Sequence, residues 1–598
     1  MATVFFTLLI LCSCALGAIY ERFEDLPTSN FDFIIVGGGT AGNVLANRLT
    51  ENSQVSVLVL EAGGSTADVL LSEVPFYCIS ATPGTSLDWN FTTTEQPGLN
   101  GRSVSFPRGF GLGGSSTVNY MFYTRGPSQD YDRYAQISGD PGWGWEALQP
   151  YFRKNERIVP PSDHHNTTGE FDPAIHSLNG INSVSLPGVS RATDGRVIQT
   201  TSELPDEFPF NLDYNSGYPL GIGWSPYTVG NGTRSSSQTS YLGPSYIGRP
   251  NLHVLTHTHV TRILQSKTNS TNVALTFSAV EFTQDAGAPV NLKEIILSAG
   301  SVGTPNILLH SGIGDDAELT ALGITPMLHL PDVGKNLTDH TLYTDLSFFV
   351  NDTSTIENIY FRNTTFQSET LAEWQANRTG FLSTGIANQI GFLRIPEEAG
   401  ILDGDPCAGN LTAHYEFIFT NGLIAPSPPP GNFFSIGIAG LCPLSRGNIT
   451  INSTNPLDPP LINPNYFSHP QDIAIMQYAV ESAKKFVAAA AWDGYILGVT
   501  ANTTENVLRN GVGTVFHPVG TASMSPADAS WGVVNPDLKL KGAKGVRIVD
   551  ASLIFMHNVT ANSVPLLRRV QPLIPSGHTQ VPVYIIAERA ADMIKADI

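Results

Sequence analysis

Charge is what this chain has least of. Only 14% of its 598 residues are charged, against roughly 25% in an ordinary soluble domain. Basic residues are the scarcer kind, 32 against 52 acidic ones, for a formal charge of −20 and a pI near 5.0. No basic cluster exists beyond the pair Arg568-Arg569, which argues against nucleic acid and anionic membranes as partners. Cysteine is also rare: five residues cannot build a disulfide framework at this length. No internal repeat or extended low-complexity tract is present, and no Cys/His spacing resembles a metal site. Past the first eighteen residues, no segment is long and apolar enough to span a bilayer. The chain is nonetheless 41% hydrophobic, enough to build two domains or one large composite, so disorder is excluded.

The one long apolar run is at the start. Met1 to Ala18 has the length of a signal-peptide core and ends in small residues, which predicts cleavage after Gly17 or Ala18, although no Lys or Arg precedes the run. Thirteen N-x-[ST] sequons fit the secreted, extracellular glycoprotein that such a leader implies. Removing the leader takes Cys12 and Cys14 with it. Of the three thiols left, Cys407 and Cys442 could bridge, and Cys78, inside Val74–Ile79, reads as a packed apolar residue.

The strongest local signal is Phe31–Gly42, a buried-strand run ending in G-x-G-x-x-G (Gly37, Gly39, Gly42), followed by a helix-capable stretch from Asn43 to Leu49. A second apolar strand, Val55–Leu60, ends at Glu61, nineteen residues beyond Gly42. Gly37 permits the tight turn, Gly39 lets the backbone approach a pyrophosphate, and Gly42 lets the helix pack on the strand. The helix N-terminus at Thr40 and Ala41 faces the phosphate charge, and Glu61 is placed to take both ribose hydroxyls of an adenosine. The unit predicts a bound dinucleotide, FAD or NAD. Further strands are expected at Leu252–Leu255, Val260–Leu264, Glu294–Ser298 and Val546–Asp550, and helices at Thr304–His310, Ile473–Ala490 and Val583–Ala596. Ala425–Gly431 reads as a rigid proline-rich loop. Nucleotide-binding signals occur near the start, middle and end, so one domain is assembled from distant segments with the other inserted between them.

Three more stretches, Gly109–Gly126, Ser298–Gly314 and Phe516–Met524, followed by Arg547–Asp550 and Gly577–Gln580, resemble the glucose–methanol–choline (GMC) family of FAD-dependent oxidoreductases. Within that family, Asp88–Thr94, Val159–Pro161 and His165–Phe171 look most like secreted aryl-alcohol oxidases. The resemblance implies an α/β composite: a Rossmann-like FAD-binding domain (31–107, 230–325 and 515–598) interleaved with an antiparallel-sheet substrate-binding domain (108–229 and 326–514). It also implies that Asn119 to Phe122 lies along the flavin, Val260 meets the adenine, Asp550 sits near the ribityl–phosphate region and Thr579 near the pyrimidine end. Some relatives attach FAD covalently through a histidine; Val118 stands at that position here and cannot form the bond, so FAD is expected to be non-covalent.

The same resemblance points to His517 and His578 as the catalytic pair. Oxidising a primary alcohol requires removal of the hydroxyl proton while the carbon-bound hydrogen leaves as hydride to flavin N5. A neutral imidazole with an ordinary pKa near 7 suits the first task. His517 is assigned as base and His578 as hydrogen-bonding partner of the alcohol, an order the sequence leaves exchangeable. Phe91, Ile424 and Phe516 match the aromatic gates and the aromatic neighbour of the base. Phe91 keeps a stacking face without a tyrosine hydroxyl, and Ile424 loses a ring, so the pocket is expected to be wider or more aliphatic. Phe110 replaces a usually basic or polar residue. The expected activity is oxidation of aromatic or conjugated primary alcohols by a monomer, with O2 reduced to hydrogen peroxide. The alternatives are a dehydrogenase or tailoring enzyme with a quinone-type acceptor, and an inert FAD-binding scaffold. Finally, Phe555–Gln571 is a surplus of seventeen residues relative to the family's run from Asp550 to His578, readable as a translated unspliced intron or an outward-bulging loop.

Overall fold

The computed structural model describes residues 18–266, 274–284, 291–554 and 574–598. The surplus segment Phe555–Gln571 and the expected leader Met1–Ala18, apart from Ala18 itself, lie outside the described residues.

Six strands form a wholly parallel sheet: β1 (Ala18–Tyr20), β2 (Asn30–Val36), β3 (Val57–Leu60), β4 (Leu252–Leu255), β5 (Asn291–Leu297) and β6 (Val546–Ile548), in the spatial order β1-β4-β3-β2-β5-β6. A parallel sheet is covered on both faces, which is why β2 and β3 are near-continuous apolar runs with Ile34, Ile35, Val57 and Leu58 fully enclosed. Chain order and spatial order differ because β4, β5 and β6 arrive from far along the sequence. Helix α1 (Thr40–Leu49) follows β2, α2 (Gly300–His310) follows β5, and α3 (Gln580–Ala596) closes the chain. Arg48 of α1 pairs with the enclosed Glu588 of α3 at 2.8 Å, joining the first helix to the last.

A second, mixed-length antiparallel sheet of seven strands is built from 341–514, with Tyr415–Thr420 and Phe433–Gly440 at its centre. The helix Pro470–Phe486 packs on it through Ile473, Met476, Val480 and Phe486. This helix starts three residues before the expected Ile473, because Pro470 is tolerated in a first turn. It ends at Phe486 rather than Ala490. Likewise α3 starts at Gln580, three residues before Val583, with Pro582 in its first turn. Cys407 and Cys442 are bonded to each other, and Cys78 is a buried free thiol. No helix among the described residues is long and apolar enough to cross a membrane.

Candidate active site

A cavity of about 1040 Å³ lies between the C-terminal ends of the parallel strands and the second sheet. At one end, β2 turns into α1 through the glycine motif. Gly37 has φ +100°, and a Cβ on Gly42 would fall 2.0 Å from the Gly37 carbonyl oxygen, so turn and helix close up only without side chains. Gly39 caps α1 with no side chain to take its first N–H groups, and a Cβ there would meet only the Gly114 Cα, at 3.7 Å. Thr40 and Ala41 line the same opening. Glu61, beyond the end of β3, is buried; its Oε2 accepts the Gly38 N–H and its Oε1 the Gly63 N–H, both at 2.9 Å. Burial pushes this carboxyl up, and the backbone donors of Gly63 and Gly38 counter part of that. Uncapped helix donors, a glycine-lined approach and a carboxylate one strand away fit a pyrophosphate with its ribose.

Val260, Asn119, Phe122, Asp550 and Thr579 all line this cavity. Asn119 is anchored at both ends: its Nδ2 donates to Gln580 Oε1 (2.6 Å) and its Oδ1 accepts from Arg234 (2.8 Å). Asp550 is committed to the protein. Its Oδ2 accepts the Gly300 N–H and the Thr304 hydroxyl and its Oδ1 the Ser552 N–H, so its carboxylate pins the N-terminus of α2 against the cavity. Val118 lines the wall, an alkyl group where a covalent link would need a nucleophile.

His517 and His578 line the same cavity, their ring centroids 4.9 Å apart and nearly perpendicular. Phe122 stacks on His578. His578 Nε2 lies 2.9 Å from Oε1 of the fully enclosed Glu416, and its backbone N–H donates to the Thr124 hydroxyl. His517 has no carboxylate on its ring; its Nδ1 meets Nδ1 of His340 at 3.0 Å. Burial first, then the nearby His578, His340 and Arg108, push the His517 pKa well below its ordinary value. The expectation of a base near neutrality is corrected here: an enclosed imidazole among cationic and imidazole neighbours stays neutral.

Phe516, at φ +67°, stacks 6.2 Å from Tyr120 along the wall. Phe91 stacks on Trp89 (5.5 Å, 7°), and Phe110 meets Trp89 edge-on. Ile424 also lines the cavity, with Ile386, Ile418 and Leu423.

The sequence profile of GMC oxidoreductases matches residues 31–342 and 443–566. The chain belongs to the GMC oxidoreductase family. Dehydrogenase eriK of Hericium erinaceus is 40% identical over 98% of this chain and 97% of its own length. A pyranose dehydrogenase of Agaricus xanthodermus is 39% identical over 97% and 96%. Among solved structures, a fungal aryl-alcohol oxidase superposes with a TM-score of 0.77 at 25% identity, over 95% of this chain and 99% of that one. GMC oxidoreductases are FAD-binding flavoproteins, and the glycine cradle and Glu61 are the residues that would hold FAD here.

Sequence reading missed His340, Glu416, Arg108 and Trp89. Glu416 carried a signal, a lone acid in the apolar strand Tyr415-Glu-Phe-Ile-Phe. His340, in Asn336-Leu-Thr-Asp-His, carried none.

Proposed function

We propose that the enzyme oxidises a primary alcohol bearing an aromatic or conjugated group, with His517 as the base. The observation that carries this reading is the His517–His578 ring pair lining the same cavity as the glycine-rich dinucleotide cradle. Bound FAD supplies the acceptor for the hydride leaving the carbinol carbon. His517, kept neutral, takes the hydroxyl proton at Nε2, a step worth about 10²–10⁴ in rate. His578, backed by Glu416, donates a hydrogen bond to the alcohol oxygen and holds it as the proton leaves. Phe516, Tyr120, Ile418, Leu423 and Ile424 enclose the substituent and exclude water. These apolar walls suit a flat apolar group, while Thr420, Ser435 and Asp345 in the same lining could pair with hydroxyls, so the substrate panel includes pyranoses.

The electron acceptor divides two readings. The dehydrogenases at 39–40% identity over nearly the whole chain favour a quinone-type acceptor, which we take as the leading reading. The aryl-alcohol oxidase of the same fold, with Phe516 beside the base, favours O2 and peroxide. The division into 31–107, 230–325 and 515–598 for FAD and 108–229 and 326–514 for substrate, non-covalent FAD, monomeric state and secretion belong to the same proposal. None of the eleven sequon asparagines among the described residues is buried, which suits a glycosylated extracellular enzyme.

An anaerobic panel of alcohols and pyranoses, followed by flavin absorbance, tests the reading. Anisyl alcohol is expected to bleach the flavin, and His517→Ala to slow bleaching by about 10²–10⁴ while the protein stays yellow. Bleaching by pyranoses alone would replace the substrate class, and bleaching by nothing would leave an inert scaffold. Recovery of colour with benzoquinone but not O2 supports the dehydrogenase; peroxide on aeration supports the oxidase.

A further inference from the structure

His517 is held from three sides. Its backbone N–H donates to Asp339 Oδ1 at 2.8 Å, the preceding Phe516 carbonyl accepts from Arg108 Nη2 at 2.8 Å, and its ring Nδ1 lies 3.0 Å from Nδ1 of His340. Asp339 is itself fixed by the hydroxyls of Tyr466 and Thr514. Asp339 and His340 immediately precede the strand Thr341–Tyr343, which pairs with Gly513–Thr514 just before His517. The same strand pairing that ends one segment therefore delivers both partners to the other.

Two neutral imidazoles that meet nitrogen to nitrogen hold one proton between them: one ring donates and the other accepts. If His517 Nε2 is to receive a proton from an alcohol, its Nδ1 must carry the ring's hydrogen, and His340 Nδ1 must be the acceptor. His340 is able to fill that role continuously. It is fully enclosed, and burial, reinforced by His578 against the pull of the Leu441 carbonyl, drives its pKa down to about 3, so it stays neutral with a lone pair available. The charged and titratable groups facing His517 are His340, His578, Arg108 and Asp339, and none places a carboxylate on its ring.

We propose that His340 is a positioning residue, accepting the Nδ1 hydrogen of His517 and thereby selecting the tautomer whose Nε2 lone pair faces the substrate. The inference rests on His517 being the base. In the proton-transfer step the alcohol O–H bond breaks, the proton bonds to His517 Nε2, and the Nδ1 hydrogen stays on His517, donating to His340. No proton passes to His340. A neutral acceptor orients the imidazole without adding the negative charge that would raise its pKa, unlike the carboxylate acceptors that fix catalytic histidines elsewhere.

The test compares His340→Leu, which removes the acceptor, with His340→Asn, whose Oδ1 can replace it. Both are prepared as holoenzyme, with FAD content and melting temperature measured alongside. Anaerobic stopped-flow then gives the limiting rate of flavin reduction, the substrate Kd and the pH–rate profile. His340→Leu is expected to lose about 10–10² in limiting rate, with a shifted pH profile and an unchanged substrate Kd, and His340→Asn to recover to within about threefold of wild type. A Leu variant with wild-type rate and profile overturns the proposal, and so does an Asn variant as slow as the Leu variant. Should the Leu variant fail to hold FAD, the Asn variant decides alone: near-wild-type rate and profile support the role, a large loss refutes it. A wild type whose flavin no alcohol reduces, or a His517→Ala variant that reduces normally, overturns the base assignment and this inference with it, a result distinct from any difference between the His340 variants.

Discussion

Glu61 combines contacts that hold the fold with the ligand role proposed for it. Its two oxygens already accept backbone N–H groups from Gly38 and Gly63, and each oxygen keeps lone-pair capacity for a ribose hydroxyl. Glu61→Ala is therefore expected to weaken FAD binding, each lost charge-assisted bond costing about 1.5–3 kcal/mol, and also to loosen the glycine turn that approaches the pyrophosphate. FAD retained after dilution and desalting is the measurement, and undiminished content would reject the assignment. Acid precipitation of the wild type should release all the flavin, since Val118 offers no bond-forming atom. The spacing of Gly37, Gly39, Gly42 and Glu61 was readable without coordinates because each residue's role is local. The depressed pKa of His517 was not, because its causes are enclosure and the rings of His578 and His340.

Among elements, the chain entering α3 carries the sharpest question. Ile554 and Ile574, either side of the surplus segment, are buried in the same core, and His578 follows only four residues after Ile574. A change of length here acts directly on a histidine of the pair, where small displacements are costly in rate. We predict that peptide mapping of the active enzyme finds Ile554 joined to Pro572. Peptides from Phe555–Gln571 recovered from active enzyme would show instead that the segment is genuine. The regular elements were largely legible in the sequence: β2, β3, β4 and α1 announce themselves by unbroken apolar runs or helical spacing. Helices such as Ser128–Ser138 and Thr364–Asn377 did not, since the first buries serines, an aspartate and tyrosines rather than an aliphatic stripe, and the second buries only Thr370 and Trp374.

For the molecule as a whole, a buried charge network sets an expected pH window. Arg125 pairs with Glu156 at 2.5 Å, Glu156 also meets His176 Nδ1, and His176 Nε2 meets Asp213 at 2.7 Å. Burial opposes the charge on His176, but its bonds to Asp213 and Glu156 outweigh it and raise the pKa from 6.5 to about 9. Burial likewise opposes charge on Glu156, but Arg125 and His176 hold it near 2 against an ordinary 4.5. Asp405, against its own burial, is held near 2 by His414, the Cys407 N–H and Arg394. A raised histidine stabilises fully below its unfolded pKa and ceases to do so as pH rises through about 9; depressed carboxylates stabilise above their unfolded values and cease as pH falls through about 2. Melting temperature is expected to be highest between about pH 4.5 and 6.5 and to fall on both sides, with the alkaline fall reduced in His176→Ala. A melting temperature still rising beyond pH 9 would contradict this.

By itself, the sequence determined the dinucleotide unit, because it depends on residue types at short fixed offsets, a glycine where backbone must bend or approach and an acid where a strand ends; the family, and with it the proposal of the two histidines, came from the resemblance carried by Phe516–Met524 and Gly577–Gln580. Tertiary structure alone decided what surrounds those histidines. Strand pairing between Thr341–Tyr343 and Gly513–Thr514 brings His340 to His517 across 177 positions, and the central antiparallel strand brings Glu416 to His578 across 162. Such contacts follow from sheet register over long separations, which no local pattern encodes, and they fix which imidazole is neutral, which is backed by a carboxylate, and how each is oriented.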